Sequence, residues 1–237
     1  MRKKRKYVFD VDGTLTPSRQ KIDEEFAEIF WNFCTSNEVY LVTGSDREKT
    51  REQLTYQILN AVELSFNCAG NEVWKKEDLI RKNDWIAPDS LLAFLENELE
   101  NSQFSPKTGK HIEQRNGMVN FSIVGRNCTL EQRKLYVEWD SQENERNAIA
   151  KRVGNEFPGI DVFVGGETGL DIFEKGKGKS QCLEYIRTSN NDIIHYFGDQ
   201  IFPGGNDYDI AVKCNVRHSV KSWNNTKEII QILSELK

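Results

Sequence analysis

Tyr7-Val8-Phe9-Asp10-Val11-Asp12-Gly13-Thr14-Leu15-Thr16 runs three apolar residues into two carboxylates spaced two apart, then into a Gly-Thr turn. Tyr7 to Phe9 are aromatic or β-branched and show no helical period, which predicts a buried strand. Gly13 punctuates the turn. In an open α/β sheet, ligands bind at the carboxyl ends of strands. Two acids on a tight loop there are costly unless a cation sits between them. Mg²⁺, a hard ion that takes oxygen ligands, is the natural candidate. A carboxylate beside it can act as a nucleophile and form an aspartyl-phosphate. A second carboxylate two residues on can handle the proton of the attacking or leaving hydroxyl. The bland reading is a polar strand end and a common Asp-Gly turn.

Further along, Val39 to Val42 form another apolar strand, ending in Thr43-Gly44-Ser45-Asp46. Alone this is a strand before an Asp- or Ser-capped helix. Lys175-Gly-Lys-Gly-Lys179 alone is an exposed turn. Ile193 to Phe197 end in Gly198-Asp199, followed by Pro203-Gly204-Gly205-Asn206-Asp207. Taken in order, these segments resemble the four motifs of the haloacid dehalogenase-like superfamily. The resemblance implies Asp10 as nucleophile and Mg²⁺ ligand. It implies Asp12 as general acid/base, with its backbone carbonyl on the metal. A hydroxyl of the Thr43-Gly44-Ser45 loop, on Thr43 or Ser45, would hold the phosphoryl group. Lys179 would neutralise charge on nucleophile and phosphoryl group. Asp199 would be a direct metal ligand and Asp207 a supporting acid.

Longer segments narrow the family. Phe197-Gly-Asp-x-x-x-Pro203-Gly-Gly-Asn-Asp207, Arg115-Asn-Gly-Met118-Val-Asn120 and Thr14-Leu-Thr16-Pro-x-Arg19 resemble the eukaryotic-type phosphomannomutase family, over about Tyr7 to Asp209. A hexose phosphomutase must hold a second phosphate away from the metal. Arginine suits that task, because its planar fork pairs with phosphate oxygens and stays charged. By resemblance Arg115, Arg126 and Arg133 form the distal phosphate site, with Asn120 in the same segment, and Arg19 contacts substrate from the core side. Any one of them taken alone is an ordinary solvated arginine. Asp171, in Gly165-Gly166-Glu-Thr-Gly169-Leu-Asp171, matches an acid that contacts sugar hydroxyls. The chain departs from the family where a serine becomes Gly169, where Lys175 to Lys179 replace a Gly-Trp-Asp-Lys pattern, and where Thr43 replaces a glycine. The lost serine hydroxyl removes a sugar contact, and the Lys-Gly-Lys-Gly-Lys run and Thr43 look closer to sugar phosphatases of the superfamily.

With 237 residues the chain can bury a sizeable core in one or two domains. A net charge of −5 argues against nucleic acid as the main partner. No apolar run reaches transmembrane length, and no apolar segment reads as a secretory h-region, so neither a span nor a leader is expected from this sequence. The basic start Arg2 to Lys6 reads as a solvated lead-in to the first strand. Five scattered cysteines without CxxC fit reduced thiols in a cytoplasmic protein. His111, His195 and His218 are too separated to suggest zinc. Amphipathic helices are expected over Ile22 to Phe33 and Arg47 to Leu59, a further helix over Leu91 to Leu99, a long charged helix over Thr129 to Val153 and a terminal helix over Thr226 to Leu236. Trp85 and Trp139 read as packing residues. The expected fold class is α/β: a haloacid dehalogenase-like Rossmannoid core with a parallel sheet, from residues 1–83 and 177–237, plus an inserted α/β cap with an antiparallel sheet, residues 84–176.

The resemblance implies interconversion of mannose 6-phosphate and mannose 1-phosphate through an aspartyl-phosphate, with Mg²⁺ and a hexose 1,6-bisphosphate activator, feeding GDP-mannose synthesis. It implies a homodimer through the cap. The rivals are a Mg²⁺-dependent sugar-phosphate phosphatase of the same superfamily and a non-catalytic sugar-phosphate binder. The second needs no nucleophile, so intact Asp10, Asp12, Lys179 and Asp199 argue against it.

Overall fold

A computed structural model describes residues 4–235. Arg2, Lys3 and Leu236, which belong to the expected basic lead-in and terminal helix, lie outside the described residues. In chain order the first part comprises β1 (Arg5–Phe9), α1 (Glu24–Ser36), β2 (Glu38–Val42), α2 (Arg47–Gln53), α3 (Tyr56–Ala61), β3 (Leu64–Asn67), β4 (Glu72–Lys75) and β5 (Asp78–Lys82). There follow α4 (Asp89–Asn101), β6 (Ile112–Arg115), β7 (Met118–Phe121), α5 (Leu130–Glu143), α6 (Glu145–Glu156), β8 (Ile160–Gly165) and β9 (Gly169–Glu174). The chain closes with α7 (Leu183–Ile186), β10 (Ile193–Gly198), α8 (Tyr208–Ala211), β11 (Val216–Ser219) and α9 (Trp223–Glu235).

Strand periodicity builds the main sheet. Along β1, β2 and β10, Tyr7, Phe9, Val39, Leu41 and Phe197 face one side, packing on α1 and α9 residues such as Phe26, Phe30 and Ile230. Val8, Tyr40, Val42, Ile194 and Tyr196 face the other, against Leu183, Ile186 and Ile210. A strand covered on both faces reads as a continuous apolar run, which is why Tyr7 to Phe9 show no alternation. Phe9 stacks on Phe197 at 4.3 Å, and each such buried ring contributes about 1.5–3 kcal/mol.

The sheet order is β11-β10-β1-β2-β3-β4-β5. The first five strands run parallel, but β4 and β5 are antiparallel. The expected all-parallel core sheet is therefore extended by an edge hairpin. A second sheet, ordered β6-β7-β9-β8, is antiparallel throughout. It packs through Val119, Phe121 and Ile172 on Leu91 and Leu95 of α4, Tyr136 of α5 and Ile149 of α6. Trp85 and Trp139 pack at the border of this cluster, as expected.

Two expected helices are broken. Arg47 to Leu59 divides at Leu54, whose backbone is extended, and Thr55 caps α3 by accepting from the Ile58 N–H. Thr129 to Val153 divides at Asn144, which adopts the left-handed conformation (φ 54°) that ends α5. Asparagine tolerates that region because its short side chain can bond locally.

Where the chain passes between the two sheets, one buried side chain binds both crossings. The Asn71 amide donates to the carbonyls of Cys68 (2.8 Å) and Lys177 (3.2 Å), and its Oδ1 accepts from Asn83 (2.9 Å). The β6–β7 turn rests against the same residue, at Gly117.

Candidate active site

The carboxyl ends of β1, β2 and β10 come together beneath the antiparallel sheet. Asp10 follows β1, with its N–H bonded to the Phe197 carbonyl of β10. Lys179 Nζ lies 2.7 Å from Asp10 Oδ1 and 2.7 Å from Asp207 Oδ1, and all three residues are buried. Asp207 also accepts from the Tyr196 hydroxyl and from the Gln200 N–H. Burial raises the Asp10 pKa well above the carboxylate range, with Lys179 pulling it down and Asp207 and Asp199 pushing it up. Burial favours a neutral Lys179, but Asp10 and Asp207 overcome it and raise its pKa. These directions conflict, since the carboxylate that holds Lys179 charged is one that burial would protonate. The 2.7 Å contacts favour the ion pair, so the surplus negative charge belongs to the acid cluster as a whole.

Asp199, at the end of β10, is pushed up to about 6 by burial and then by Asp207, despite a hydrogen bond from Gln200. Asp10, Asp199 and Asp207 each place a carboxylate oxygen within 4.8 Å of the others. Among the described residues this is the single group of three or more side chains suited to a metal. The donors are all oxygen and outnumber the one lysine, which fits a hard divalent cation. Gly13 is required beside them. Its φ is +83°, and a Cβ there would stand 2.6 Å from Asp199 Oδ2.

Asp12 points elsewhere. Its carboxylate accepts from Arg19 N–H (2.7 Å), Gln53 Nε2 (2.9 Å) and Ser45 Oγ (3.1 Å). Burial alone would raise its pKa, but the Lys49 ammonium and these hydrogen bonds leave it lowered. An ionised carboxylate with fixed geometry can accept a proton from a hydroxyl. Thr43 Oγ1 accepts from the Ser45 N–H at 3.1 Å, so the Thr43-Gly44-Ser45 loop is tied to itself.

The antiparallel sheet supplies the opposite wall. Arg115, at the end of β6, donates to the Gly44 carbonyl (2.8 Å) and to Glu113. Arg126 reaches Glu113 (3.2 Å) and Asn120 Oδ1 (3.3 Å). Arg133 holds Glu167 (2.7 Å) and Thr168 Oγ1 (3.3 Å). Asp171 accepts from Asn120 (2.9 Å) and, across the cleft, from Asn206 (3.1 Å). Val164 of β8 forms an isolated parallel bridge with Gly205, so this wall is joined to the loop that carries Asp207. Between the walls lies a narrow, polar cleft lined by residues of both sheets. Every site residue expected from the sequence lines it except Lys179 and Asp207, which lie buried behind Asp10.

A model of the eukaryotic phosphomannomutase family matches residues 26–235. Saccharomyces cerevisiae phosphomannomutase is 32% identical over 97% of this chain and 92% of its own length. Mouse phosphomannomutase 1 is 36% identical over 92% of this chain and 88% of its own.

The chain belongs to the eukaryotic phosphomannomutase family.

Solved structures at much lower identity share the fold. A haloacid dehalogenase-like hydrolase from Bacteroides thetaiotaomicron matches with TM-score 0.58 at 13% identity, covering 98% of this chain and 100% of that one. An IMP-bound Plasmodium falciparum IMP-nucleotidase mutant matches with TM-score 0.70 at 17% identity, covering 99% and 68%. Several cleft residues of this phosphomannomutase-family chain escaped the sequence reading. Lys49, Asn206, Glu167 and Thr168 line the cleft, and Glu113 stands behind two of its arginines. Lys49 had a weak signal, since it falls in the first turn after the Asp46 cap. His195 and His218, distant in sequence, meet at 3.1 Å, but His111 is bonded to Ser122 instead.

Proposed function

We propose that the protein is a hexose phosphomutase that interconverts mannose 6-phosphate and mannose 1-phosphate, and so supplies GDP-mannose synthesis. One observation carries this reading: a buried Asp10–Lys179 pair forms one pole of the cleft, and three arginines form the other. A reaction that moves phosphate between two ends of one sugar needs both poles. Asp10 is the nucleophile, and a hexose 1,6-bisphosphate primes it. Asp12, ionised and held by Ser45, Gln53 and the Arg19 N–H, takes the proton from the attacking sugar hydroxyl. Lys179 and the Thr43-Gly44-Ser45 loop stabilise charge on the transferring group. Arg115, Arg126 and Arg133 hold the phosphate that is not reacting, while Arg19 contacts substrate from the core side. Asn120 and Asp171 face the sugar hydroxyls. Asp10, Asp199 and Asp207, with the backbone carbonyl of Asp12, would hold Mg²⁺. When bound, Mg²⁺ supplies charge neutralisation at the phosphoryl oxygens.

In this reading residues 84–176 act as a cap over a core of 1–83 and 177–237, and closure keeps water from the aspartyl-phosphate. The cap also serves a homodimer. Leu130 (67% exposed) and Leu135 (48% exposed) on α5 support that contact. A cytoplasmic site of action suits five unpaired cysteines, four of them buried. Among the described residues no helix is long and apolar enough to cross a membrane.

The test supplies mannose 1-phosphate and Mg²⁺, with and without catalytic glucose 1,6-bisphosphate, and follows hexose 6-phosphate and free phosphate together. Bisphosphate-dependent 6-phosphate with little free phosphate, abolished in Asp10→Asn, is expected. Free phosphate as the main product would mean a phosphatase instead.

A further inference from the structure

The cations around the cleft differ in what holds them. Arg115 and Arg126 share Glu113, and Arg133 holds Glu167. Each is partnered before any ligand arrives. Lys49 also lines the cleft, yet its ammonium makes no hydrogen bond or ion pair among the described residues.

Local structure works against a lysine at this position. Lys49 lies in the first turn of α2, where the Asp46 side chain accepts its backbone N–H at 2.8 Å. A cation in the first turn faces the positive end of the helix dipole. Burial lowers its pKa to about 8, opposed by Asp12 and reinforced by Arg19, Arg126 and Arg115. Nothing in packing repays this arrangement. An anion entering the cleft would relieve all of it at once, since it would partner the ammonium and screen it from the arginines.

We propose that Lys49 is a substrate-binding residue whose ammonium contacts the sugar-phosphate anion between Asp12 and the arginine wall. The proposal rests on reading the cleft as a hexose-phosphate site. It assigns to α2 a contact additional to those of the arginine wall, where Arg115, Arg126 and Arg133 must share their forks with Glu113 and Glu167.

The test combines calorimetric titration of the full chain with mannose 6-phosphate and steady-state turnover. Lys49→Met is expected to raise Kd and KM roughly ten- to hundred-fold, the range for loss of a charge-assisted hydrogen bond. The kcat should change less than KM, and Lys49→Arg should recover most of the affinity. The Tm should change little, because the ammonium makes no hydrogen bond or ion pair among the described residues and the hydrogen bonds to Asp12 from Arg19, Gln53 and Ser45 remain. An unchanged Kd in Lys49→Met overturns the proposal, even if kcat falls, because that pattern would mean that Lys49 acts only on Asp12. Calorimetry separates this from the mutase reading. A wild-type protein that binds mannose 6-phosphate without mutase turnover sinks the mutase reading and leaves Lys49 decided by its Kd. A wild-type protein that does not bind sinks both.

Discussion

Asp199 accepts a hydrogen bond from Gln200 at 2.9 Å, while burial and Asp207 push its pKa to about 6. A folded-state pKa raised above the unfolded value means that the ionised group costs stability. That cost is full above about pH 6 and disappears as the pH falls toward 4. The shift corresponds to about 3 kcal/mol. Asp199→Asn should therefore raise the metal-free Tm at neutral pH. The wild type should gain Tm on adding Mg²⁺, and the variant should lose most of that gain. Thermal melts with EDTA or Mg²⁺ decide it, and equal gains in both proteins would remove Asp199 from the proposed metal site. At this scale the sequence was informative where chemistry sits directly on a strand end. Asp10, Asp12 and Asp199 adjoin β1 and β10, so their placement followed from the strands. Glu113, Glu167 and Lys49 were not legible, because a charged residue on an edge strand, turn or helix looks solvated until its neighbours in space are known.

Among the elements, α5 carries a complete capping box. Thr129 Oγ1 accepts the Gln132 N–H at 3.2 Å, and Gln132 Oε1 accepts the Thr129 N–H at 2.9 Å. Arg133 follows in the same turn, so this cap also sets where an arginine of the cleft stands. Thr129→Ala should cost about 1 kcal/mol in urea denaturation. It should also raise KM for sugar phosphate through Arg133, whereas a purely local cap would change stability alone. Helix positions were readable from apolar spacing, as in Phe26, Phe30 and Phe33 of α1. The breaks were not. Leu54 and Asn144 interrupt helices without proline or glycine, through a threonine cap in one case and a left-handed asparagine in the other. The β5 strand was also missed. Every residue of Asp78–Lys82 is exposed, so this edge strand carries no apolar alternation to read.

For the molecule as a whole, the order of the strands brings together residues that the chain keeps far apart. His195 on β10 and His218 on β11 stack at 5.4 Å, and His218 also lies 4.0 Å from the Phe197 ring. Burial, then His195, lowers the His218 pKa to about 4, and burial, then Arg5, lowers that of His195. A base with a depressed folded-state pKa stabilises the fold fully above its unfolded value and loses that stability as the pH falls. Here the loss should run from about pH 6.5 down to 4. His218→Phe, which keeps the ring stack, should flatten that part of the stability profile relative to wild type. Parallel slopes in urea titrations of the two proteins would refute the assignment. The two-sheet plan was legible from the change of pattern near Asn83 and its return near Gly176, but the joining of Arg115 to Gly44 and of Asn206 to Asp171 was not. Such contacts depend on how the sheets face each other. The Asn71 amide, which bonds to Lys177 and Asn83 together, carries a consequence of another kind. It brings the two crossings between the sheets, near Asn83 and Lys177, to one point. A segment attached at one point can be lengthened, replaced or exchanged between relatives without moving Asp10 or Lys179. If the proposed division holds, relatives that share this core can change what they recognise while keeping how they transfer it.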